Sequence, residues 1–294
     1  MHNPFKEITQ EHETDLWLVQ RILNGCRQDL EKLIVRHQAW IYNIALKMVL
    51  APSDAEDITQ EILIKLVTRL STFDPEKGAF RTWLYRIVAN HVISMKKRKC
   101  ESLFTSFEES ADAVEKIPDQ SVDGLPESKV LAEELKIKCW TGMLLCLNRK
   151  QRVAFILGGI FEVSDTLGGE ILEVSKANYR KLLSRARLKI DNFMQQKCGL
   201  LKSDNPCNCN RKLKGFIENG FVNPDHIRFF QDNKMKIKEV LHKNLRHFER
   251  LCTSETIRRF QEHPFYDPPE FGQWMAQIFN TEMLDRLMAG KLHS

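Results

Sequence analysis

The sequence contains no long apolar run. No stretch of eighteen consecutive apolar residues occurs among its 294 residues, and a membrane-spanning helix needs about that many. The N-terminal residues, MHNPFKEITQEHE, are polar and partly acidic, whereas a secretory signal has a basic start and an apolar centre. We therefore expect a soluble, cytoplasmic protein.

Catalytic motifs are missing as well. The sequence has no phosphate-binding GxxxxGK, no zinc-binding HExxH and no GxSxG nucleophile turn. Carboxylates are plentiful, but none is spaced beside a partner histidine or cysteine in a pattern that indicates catalysis. These absences argue against an enzyme.

The eight cysteines do not include the paired CxxC pattern of a typical zinc site. Without a secretory signal we expect reduced thiols, either buried or bound to metal. Cys198, Cys207 and Cys209 lie close together in CGLLKSDNPCNC. They can hold zinc if one more ligand joins them, or form a redox switch, or remain unligated. Candidate further ligands are Cys252, His226, His242 and His247. No motif requires a cofactor.

Charge is distributed unevenly along the chain. The formal net charge is only +5, but blocks of one sign report on partners better than a total does. Residues 101–134 carry ten acidic residues against two lysines, with Pro118, Gly124 and Pro126 interrupting any regular pattern. This segment is predicted to be a flexible acidic linker. A chain of this length is expected to form two or three units.

Two predicted helices of opposite character occupy residues 54–99. The first has a capping pattern, Ser53 followed by Glu56. Its apolar face carries Ile58, Ile62, Leu63, Leu66 and Leu70. Its polar face carries Asp57, Gln60, Glu61 and Lys65. Helices from about Asp15 to Met48 are predicted to pack beneath this pair.

The second helix, predicted from about Ala79 to Lys97, follows an FDPEKG turn. Residues 77–99 contain seven Lys or Arg and no acidic residue, with Trp83 and Tyr85 interleaved. Basic side chains beside flat aromatic rings suit single-stranded nucleic acid. The alternative is a solvated basic face above core aromatics.

A helix-turn-helix is predicted at residues 165–193. A short helix over 165–172 and a longer one over 175–193 are separated by Glu173 and Val174, and Ser175 is a suitable N-cap. The longer helix carries six basic residues before any acid, which favours DNA phosphates as its partner. These are Lys176, Arg180, Lys181, Arg185, Arg187 and Lys189.

The order of these motifs resembles a known family. The acidic helix, the FDPEKG turn and FRTWLYRIVAN are similar to region two of bacterial sigma factors of the extracytoplasmic-function (ECF) group. SKANYRKLLSRARLKI is similar to their region-four recognition helix. The resemblance implies an all-α fold with a region-two domain over 1–99, a linker over 100–129, a region-four domain over 130–197, and a helical C-terminal extension over 198–294.

The same resemblance implies a transcription initiation factor. Its partners would be core RNA polymerase, through the β′ clamp helices and the β flap, promoter DNA, and an anti-sigma protein. The residues implied to bind polymerase are Asp57, Gln60 and Glu61. Those implied near the non-template strand of the minus-ten element are Lys77, Arg81, Thr82, Trp83, Arg86 and Asn90, with Phe80 favoured as core. Those implied at the minus-thirty-five element are Lys176, Asn178, Tyr179, Lys181, Ser184 and Arg185.

Several features depart from that family or extend beyond it. Gly168 stands where an apolar residue is usual, and Glu173 replaces the usual turn glycine. The phenylalanine-rich extension is predicted to be a packed helical unit or a docking surface. A stand-alone helix-turn-helix regulator, with its N-terminal half as a sensor or dimerisation module, is the alternative function.

Overall fold

The computed structural model describes residues 4–5, 14–26, 28–120, 128–227, 255–271 and 274–275. These residues form helices and connecting turns, and no β-strand occurs among them. The all-α prediction is therefore confirmed for this part of the chain. No helix there has both the length and the apolar character that crossing a bilayer requires.

The first four helices form one bundle. Their bounds are α1 Asp15–Leu23, α2 Gln28–Val49, α3 Pro52–Arg69 and α4 Phe80–Ser94. The apolar face predicted for α3 is buried, with Ile58, Ile62 and Leu66 fully inaccessible. The start of α3 differs from the prediction, because Ala51 is the N-cap, Pro52 opens the helix, and no side chain caps it. Proline suits a first helical position since its φ is already set, so the Ser53 and Glu56 capping pattern is not used.

The predicted linker is partly helical. Helix α5 (Phe107–Lys116) begins at Ser106, whose side chain accepts a hydrogen bond from the Glu109 amide. Its Phe107 ring lies 5.5 Å from that of Phe193, and Glu115 pairs with Lys197. The acidic composition suggested a flexible segment, but these contacts fix its central part. Residues 121–127 lie outside the described residues.

The second group of helices contains the helix-turn-helix. Its bounds are α6 Ser128–Leu145, α7 Arg149–Phe155 followed by a π-type turn Ile156–Ile160, α8 Asp165–Ile171 and α9 Lys176–Lys197. Ser175 is the N-cap of α9, as predicted. Glu173 has φ +54°, so it adopts the left-handed conformation that the missing turn glycine would normally supply.

The departure at Gly168 has a steric cause. A Cβ built there would lie 2.2 Å from the ring of Tyr179, and Gly158 approaches the same side chain from the π-type turn. Tyr179 is fully buried between these helices. The glycine costs α8 some helix propensity, but it leaves the space that this large side chain needs.

The C-terminal extension begins with α10 (Cys209–Glu218), which packs against α6, and resumes with α11 (Glu255–Gln261). The described part of the extension buries several of its aromatic residues, including Phe216, Phe260, Phe265 and Phe271. The prediction of a packed extension is therefore confirmed for these side chains. Phe229, Phe230, Phe248 and Phe279 lie outside the described residues.

The two helical groups share one continuous apolar core. Trp40 of α2 contacts Phe161, which follows the π-type turn, with ring centroids 5.2 Å apart. A buried ion-pair cluster joins the groups beside it. Glu101 accepts hydrogen bonds from Arg149 (2.7 Å) and Arg152 (3.0 Å). The division into separate domains at residues 99 and 130 stays a prediction, because core packing continues across it.

Candidate polymerase and nucleic-acid interfaces

The polar face of α3 points away from the core. Asp57 and Glu61 are exposed and Gln60 is half-buried. Asp57 has no ion-pair or hydrogen-bond partner among the described side chains, whereas Glu61 lies 3.1 Å from His91 Nε2 and 3.6 Å from Arg98. Half of the Glu61 side chain (51%) nevertheless remains accessible. The face is therefore acidic and available to a partner.

The aromatic residues at the start of α4 lie against the core. Phe80 is only 4% exposed, which confirms its predicted core position. Trp83 is partly buried, with its ring 5.7 Å from Phe73 and 5.5 Å from Phe80. Lys77, in the preceding turn, is exposed and pairs with Asp74 at 3.0 Å.

The outer face of α4 is covered by the helix-turn-helix. Thr82 Oγ1 donates to a carboxylate oxygen of Glu170 at 3.4 Å, and Arg86 donates to the Glu170 carbonyl at 3.3 Å. Arg86 also lies 3.5 Å from the carboxylate of Glu173. Asn90 donates to that carboxylate at 3.2 Å. Carboxylate oxygens of the helix-turn-helix thus pair with the polar side chains on this face of α4.

The corresponding face of α9 is open. Its exposed residues include five of the six predicted to contact DNA: Lys176, Asn178, Lys181, Ser184 and Arg185. The cations among these five form no ion pair with another described residue. Nearby, Arg180 pairs with Asp165 at 2.5 Å and Arg187 donates to the Gly158 carbonyl at 3.1 Å. Arg180 and Arg187 therefore brace α9 against α8 and the π-type turn, whereas the open cations remain exposed to solvent.

Tyr179 does not belong to this open face. Its side chain is 0% exposed, and its hydroxyl donates to the carbonyl of Ala154 at 3.3 Å. Burial raises the pKa of Tyr179 well above its ordinary value. The prediction that it contacts DNA is wrong for this structure, because the ring fills the space beside Gly168 in the core.

A fourth cysteine lies beside the three cysteines that the sequence places close together. Cys139 of α6 lines the same small cavity as Cys198, Cys207 and Cys209. Among the residues that the structure describes, no group of three or more His, Cys, Asp or Glu side chains is arranged to hold a metal ion. His242, His247 and Cys252 fall outside those residues. The described part of the chain therefore gives the zinc hypothesis no support.

Burial also argues against a redox role for these thiols. It raises the pKa of Cys207 to about 11 and that of Cys209 to about 12, and it raises the pKa of Cys139 well above its ordinary value. A thiol reacts as its thiolate, so a raised pKa makes it inert near neutral pH. Their surroundings are those of buried core cysteines.

Two features of the site have no signal in the sequence. Glu170 and Glu173 contact residues of α4 that lie 83 to 88 positions away along the chain. Glu101 accepts hydrogen bonds from Arg149 and Arg152, which lie 48 and 51 positions away along the chain. Pairings between such distant charged residues do not follow from local periodicity.

The chain matches known proteins in sequence. A family model for sigma-70 region 2 matches residues 33–100, which include α3 and α4. The chain is 30% identical over 194 residues to the ECF RNA polymerase sigma-E factor of Escherichia coli K12, covering 63% of this chain and 96% of that protein. It is 27% identical over 194 residues to the RNA polymerase sigma-H factor of Pseudomonas aeruginosa, with 64% and 96% covered.

A solved structure of CnrH in complex with the cytosolic domain of CnrY is a more distant likeness. Its sequence identity is 21% and its TM-score is 0.45, with 66% of this chain and all of that chain covered.

A chain whose described part is helical and that matches sigma-70 region 2 belongs to the sigma-70 class of transcription factors. More particularly, the chain belongs to the ECF family of RNA polymerase sigma factors, since nearly the whole length of a sigma-E factor aligns with it. It is thus a transcription initiation factor, which works with RNA polymerase and promoter DNA, and neither an enzyme nor dependent on a cofactor. More than a third of this chain lies outside the sigma-E match.

Proposed function

We propose that the chain binds core RNA polymerase through the acidic face of α3 and directs it to promoters with α4 and α9. The match to sigma-70 region 2 over residues 33–100 carries this proposal, because it covers both helices of the region-two pair. The polymerase surface would be the β′ clamp helices, and the contact residues Asp57, Gln60 and Glu61. The factor would act in the cytoplasm.

The exposed charge on α3 supports this assignment. Asp57 is accessible and has no described partner, and Glu61 keeps half of its side chain accessible although His91 and Arg98 lie beside it. Asp57 is thus not neutralised within the bundle, and the carboxylate of Glu61 is only partly covered by its two partners. An exposed acidic patch instead suits a cationic surface on a larger partner.

The two DNA contacts would be made by different helices. Residues of α4, with Trp83 beside Arg81, Arg86 and Asn90, would bind the non-template strand of the minus-ten element and promote its melting. Exposed residues of α9 would enter the major groove at the minus-thirty-five element, with Lys176 and Lys181 on phosphates and Asn178 and Arg185 nearest the bases. The β flap and an anti-sigma protein would be further partners of the helix-turn-helix.

Purified core polymerase tests the proposal. The full chain should bind it and support run-off transcription from genomic promoter fragments. The double charge reversal Asp57→Lys with Glu61→Lys should weaken polymerase binding by at least about 100-fold, as expected when close charge pairs at an interface are reversed. Binding should be measured by fluorescence anisotropy.

Asp204→Lys provides a matched control. Asp204 is an exposed acid in the turn before α10, and its described contact is with Ser203. This variant should bind polymerase like the unmodified chain. Equal loss in both variants, or no binding of the unmodified chain at micromolar concentration, would refute the assignment of α3.

A further inference from the structure

A segment of the C-terminal extension contacts both helical groups. We call residues 255–271 the bridging segment. On the helix-turn-helix side, Thr256 donates to the carboxylate of Asp191 in α9 at 2.5 Å. Gln261 donates to the carboxylate of Glu162 at 2.8 Å and to the Gly159 carbonyl at 3.3 Å. These bonds attach one end of the bridging segment to α9 and to the turn before α8.

The other end of the bridging segment is attached to the first bundle. The side chain of Asn43, in the middle of α2, donates to the backbone carbonyl of Tyr266 at 2.7 Å. The Tyr266 amide donates to the Asn43 side-chain oxygen at 3.0 Å. Asn43 is fully buried, so both bonds form away from water and breaking them leaves polar groups unsatisfied.

Between these two attachments, aromatic side chains of the bridging segment pack against both helical groups. Phe265 lies 5.1 Å from Trp40 of α2 and 6.5 Å from Phe161, which itself contacts Trp40. Phe260 lies 5.1 Å from Phe155 of α7. Both bridging phenylalanines are essentially inaccessible to solvent. The bridging segment therefore supplies part of the core that holds the first bundle and the helix-turn-helix together.

This arrangement cannot present both DNA-binding faces at once. Elements centred near minus ten and minus thirty-five lie about 25 base pairs apart, or roughly 85 Å at about 3.4 Å per base pair. A compact chain of this length has a radius of gyration of only about 19 Å. In addition, Glu170 and Glu173 occupy the face of α4 that would receive DNA. Promoter binding therefore requires the two groups to separate.

We propose that the bridging segment is an intramolecular inhibitor. It holds the helix-turn-helix on the first bundle so that Glu170 and Glu173 cover α4. The exposed faces of α3 and α9 can still bind polymerase or duplex DNA singly, but α4 reaches the promoter, and both groups bind polymerase together, only in the separated form. This inference rests on the proposed function, because it treats α4 as a promoter-contacting helix. If only a small fraction of the chains is in the separated form, the apparent Kd for partners of that form is raised by the inverse of this fraction.

The test uses the full chain, because removing the bridging segment would expose Trp40 and Phe155. The opening variant combines Thr256→Val, Gln261→Ala and Phe265→Ala. Its control is Arg258→Ala, on the exposed side of α11, where the described partner is Glu255 of the same helix. A second opening variant, Thr256→Val with Gln261→Ala, removes polar attachments of the bridging segment, leaves its aromatic packing intact and has Glu218→Gln on α10 as its control.

Small-angle X-ray scattering without DNA or polymerase measures separation directly. Titration with core polymerase then measures its consequence. Both opening variants should increase the radius of gyration and lower the apparent Kd for polymerase by at least about tenfold, and both controls should match the unmodified chain. Circular dichroism reports whether the triple variant folds, and the Thr256→Val with Gln261→Ala variant decides the question if it does not.

Failure of the inference and failure of the proposed function give different results. Unchanged scattering and unchanged affinity in the folded opening variants would overturn the inference while leaving the proposed function standing. Increased separation without tighter binding would overturn the inhibitory role. Absence of polymerase binding in every form of the chain, including the separated ones, would overturn the proposed function.

Discussion

Helices α4 and α9 carry similar chemistry in opposite situations. Both present Arg and Asn side chains on an outer face, and both are proposed to bind DNA. On α4, Arg86 and Asn90 are engaged by Glu170 and Glu173 of the same chain. On α9, Lys181 and Arg185 are exposed, with no ion pair to another described residue. Composition alone would have treated the two faces alike.

The difference arises from the helix-turn-helix itself. The acidic residues that cover α4 lie on α8 and on the turn, whereas the basic residues lie on the outer side of α9. One compact motif thus carries a basic face for DNA and an acidic face for the chain's own α4. Within this second face, Glu173 stands where the resemblance to the family implies a turn glycine.

The largest expected effect is at the junction that holds the two groups in register. Arg152 is buried and donates to Glu101 and to the carbonyls of Met48 and Leu144. Arg152→Met should lower the free energy of unfolding by about 3–5 kcal/mol, because it leaves a buried carboxylate and several carbonyls with fewer partners. Urea unfolding measures this. The control Arg69→Ala, at the exposed end of α3, should change the free energy of unfolding by less than about 0.5 kcal/mol. An equally small effect for Arg152→Met would contradict the claim that Arg152 stabilises the junction.

A second variant should strengthen the contact between the groups. Lys47 of α2 is 1% exposed, has no hydrogen-bond partner among the described residues, and lies 5.7 Å from the Phe161 ring. Burial lowers the pKa of Lys47 to about 7, and burial followed by the Lys47 charge lowers the pKa of the neighbouring His263. Lys47→Met should raise the free energy of unfolding at neutral pH by roughly 2–4 kcal/mol, because no charge is then buried.

The pH dependence of this effect has a definite sign. The unfolded chain binds a proton at Lys47 up to about pH 10.5, whereas the folded chain releases it above about pH 7. Stability of the unmodified chain should therefore rise between about pH 7 and pH 10, and the Lys47→Met chain should lose this contribution to the slope. Urea unfolding across that range measures it. A methionine variant that is less stable than the unmodified chain at pH 7 would contradict the account.

Salt titrations of duplex binding sharpen the comparison of the two faces. Without polymerase, Lys181→Ala should weaken binding to genomic duplex DNA and reduce the slope of log affinity against log salt by about 1, as expected for one lost phosphate contact. Arg86→Ala should leave that slope unchanged, because α4 is covered in the free chain and is assigned to a single strand. Fluorescence anisotropy measures both. Equal slopes for the two variants would contradict the claim that α9 is open to duplex DNA in the free chain and α4 is covered.

The smallest expected effect concerns Tyr179. Tyr179→Phe removes the hydroxyl that donates to the Ala154 carbonyl and keeps the buried ring. Stability should fall by about 1 kcal/mol, the net value of a typical hydrogen bond, and duplex affinity should not change. Thermal unfolding and anisotropy measure the two quantities. A loss of duplex affinity with unchanged stability would indicate that Tyr179 contacts DNA after all.

Local signals in the sequence predicted the helices well. The N-cap Ser175 and the break at Glu173 and Val174 place α8 and α9 within a few residues of their observed bounds, because capping and periodicity act over one or two turns. The orientation of Tyr179 could not be predicted in the same way. Its burial depends on Gly158 and Gly168, which approach it from two other helices.

Contacts between distant segments were equally inaccessible to sequence analysis. Acidic residues 101–134 suggested a flexible linker, yet Phe107 anchors α5 to Phe193 of α9. The Asn43 bonds to Tyr266 span 223 positions, and neither residue belongs to a recognisable motif. Tertiary packing decided these features, and it also decided which of the two basic faces is open.

The central claim is that α4 faces the chain's own helix-turn-helix until polymerase and promoter DNA separate them. A photo-crosslinking p-benzoylphenylalanine in place of Asn90 tests it most directly, because Asn90 is exposed at the edge of the covered face. In the free chain the crosslink should map to residues around Glu173, and with core polymerase and a transcribed promoter fragment it should move to DNA. A crosslink to DNA of equal yield without polymerase, or an internal crosslink that persists in the transcribing complex, would contradict the claim.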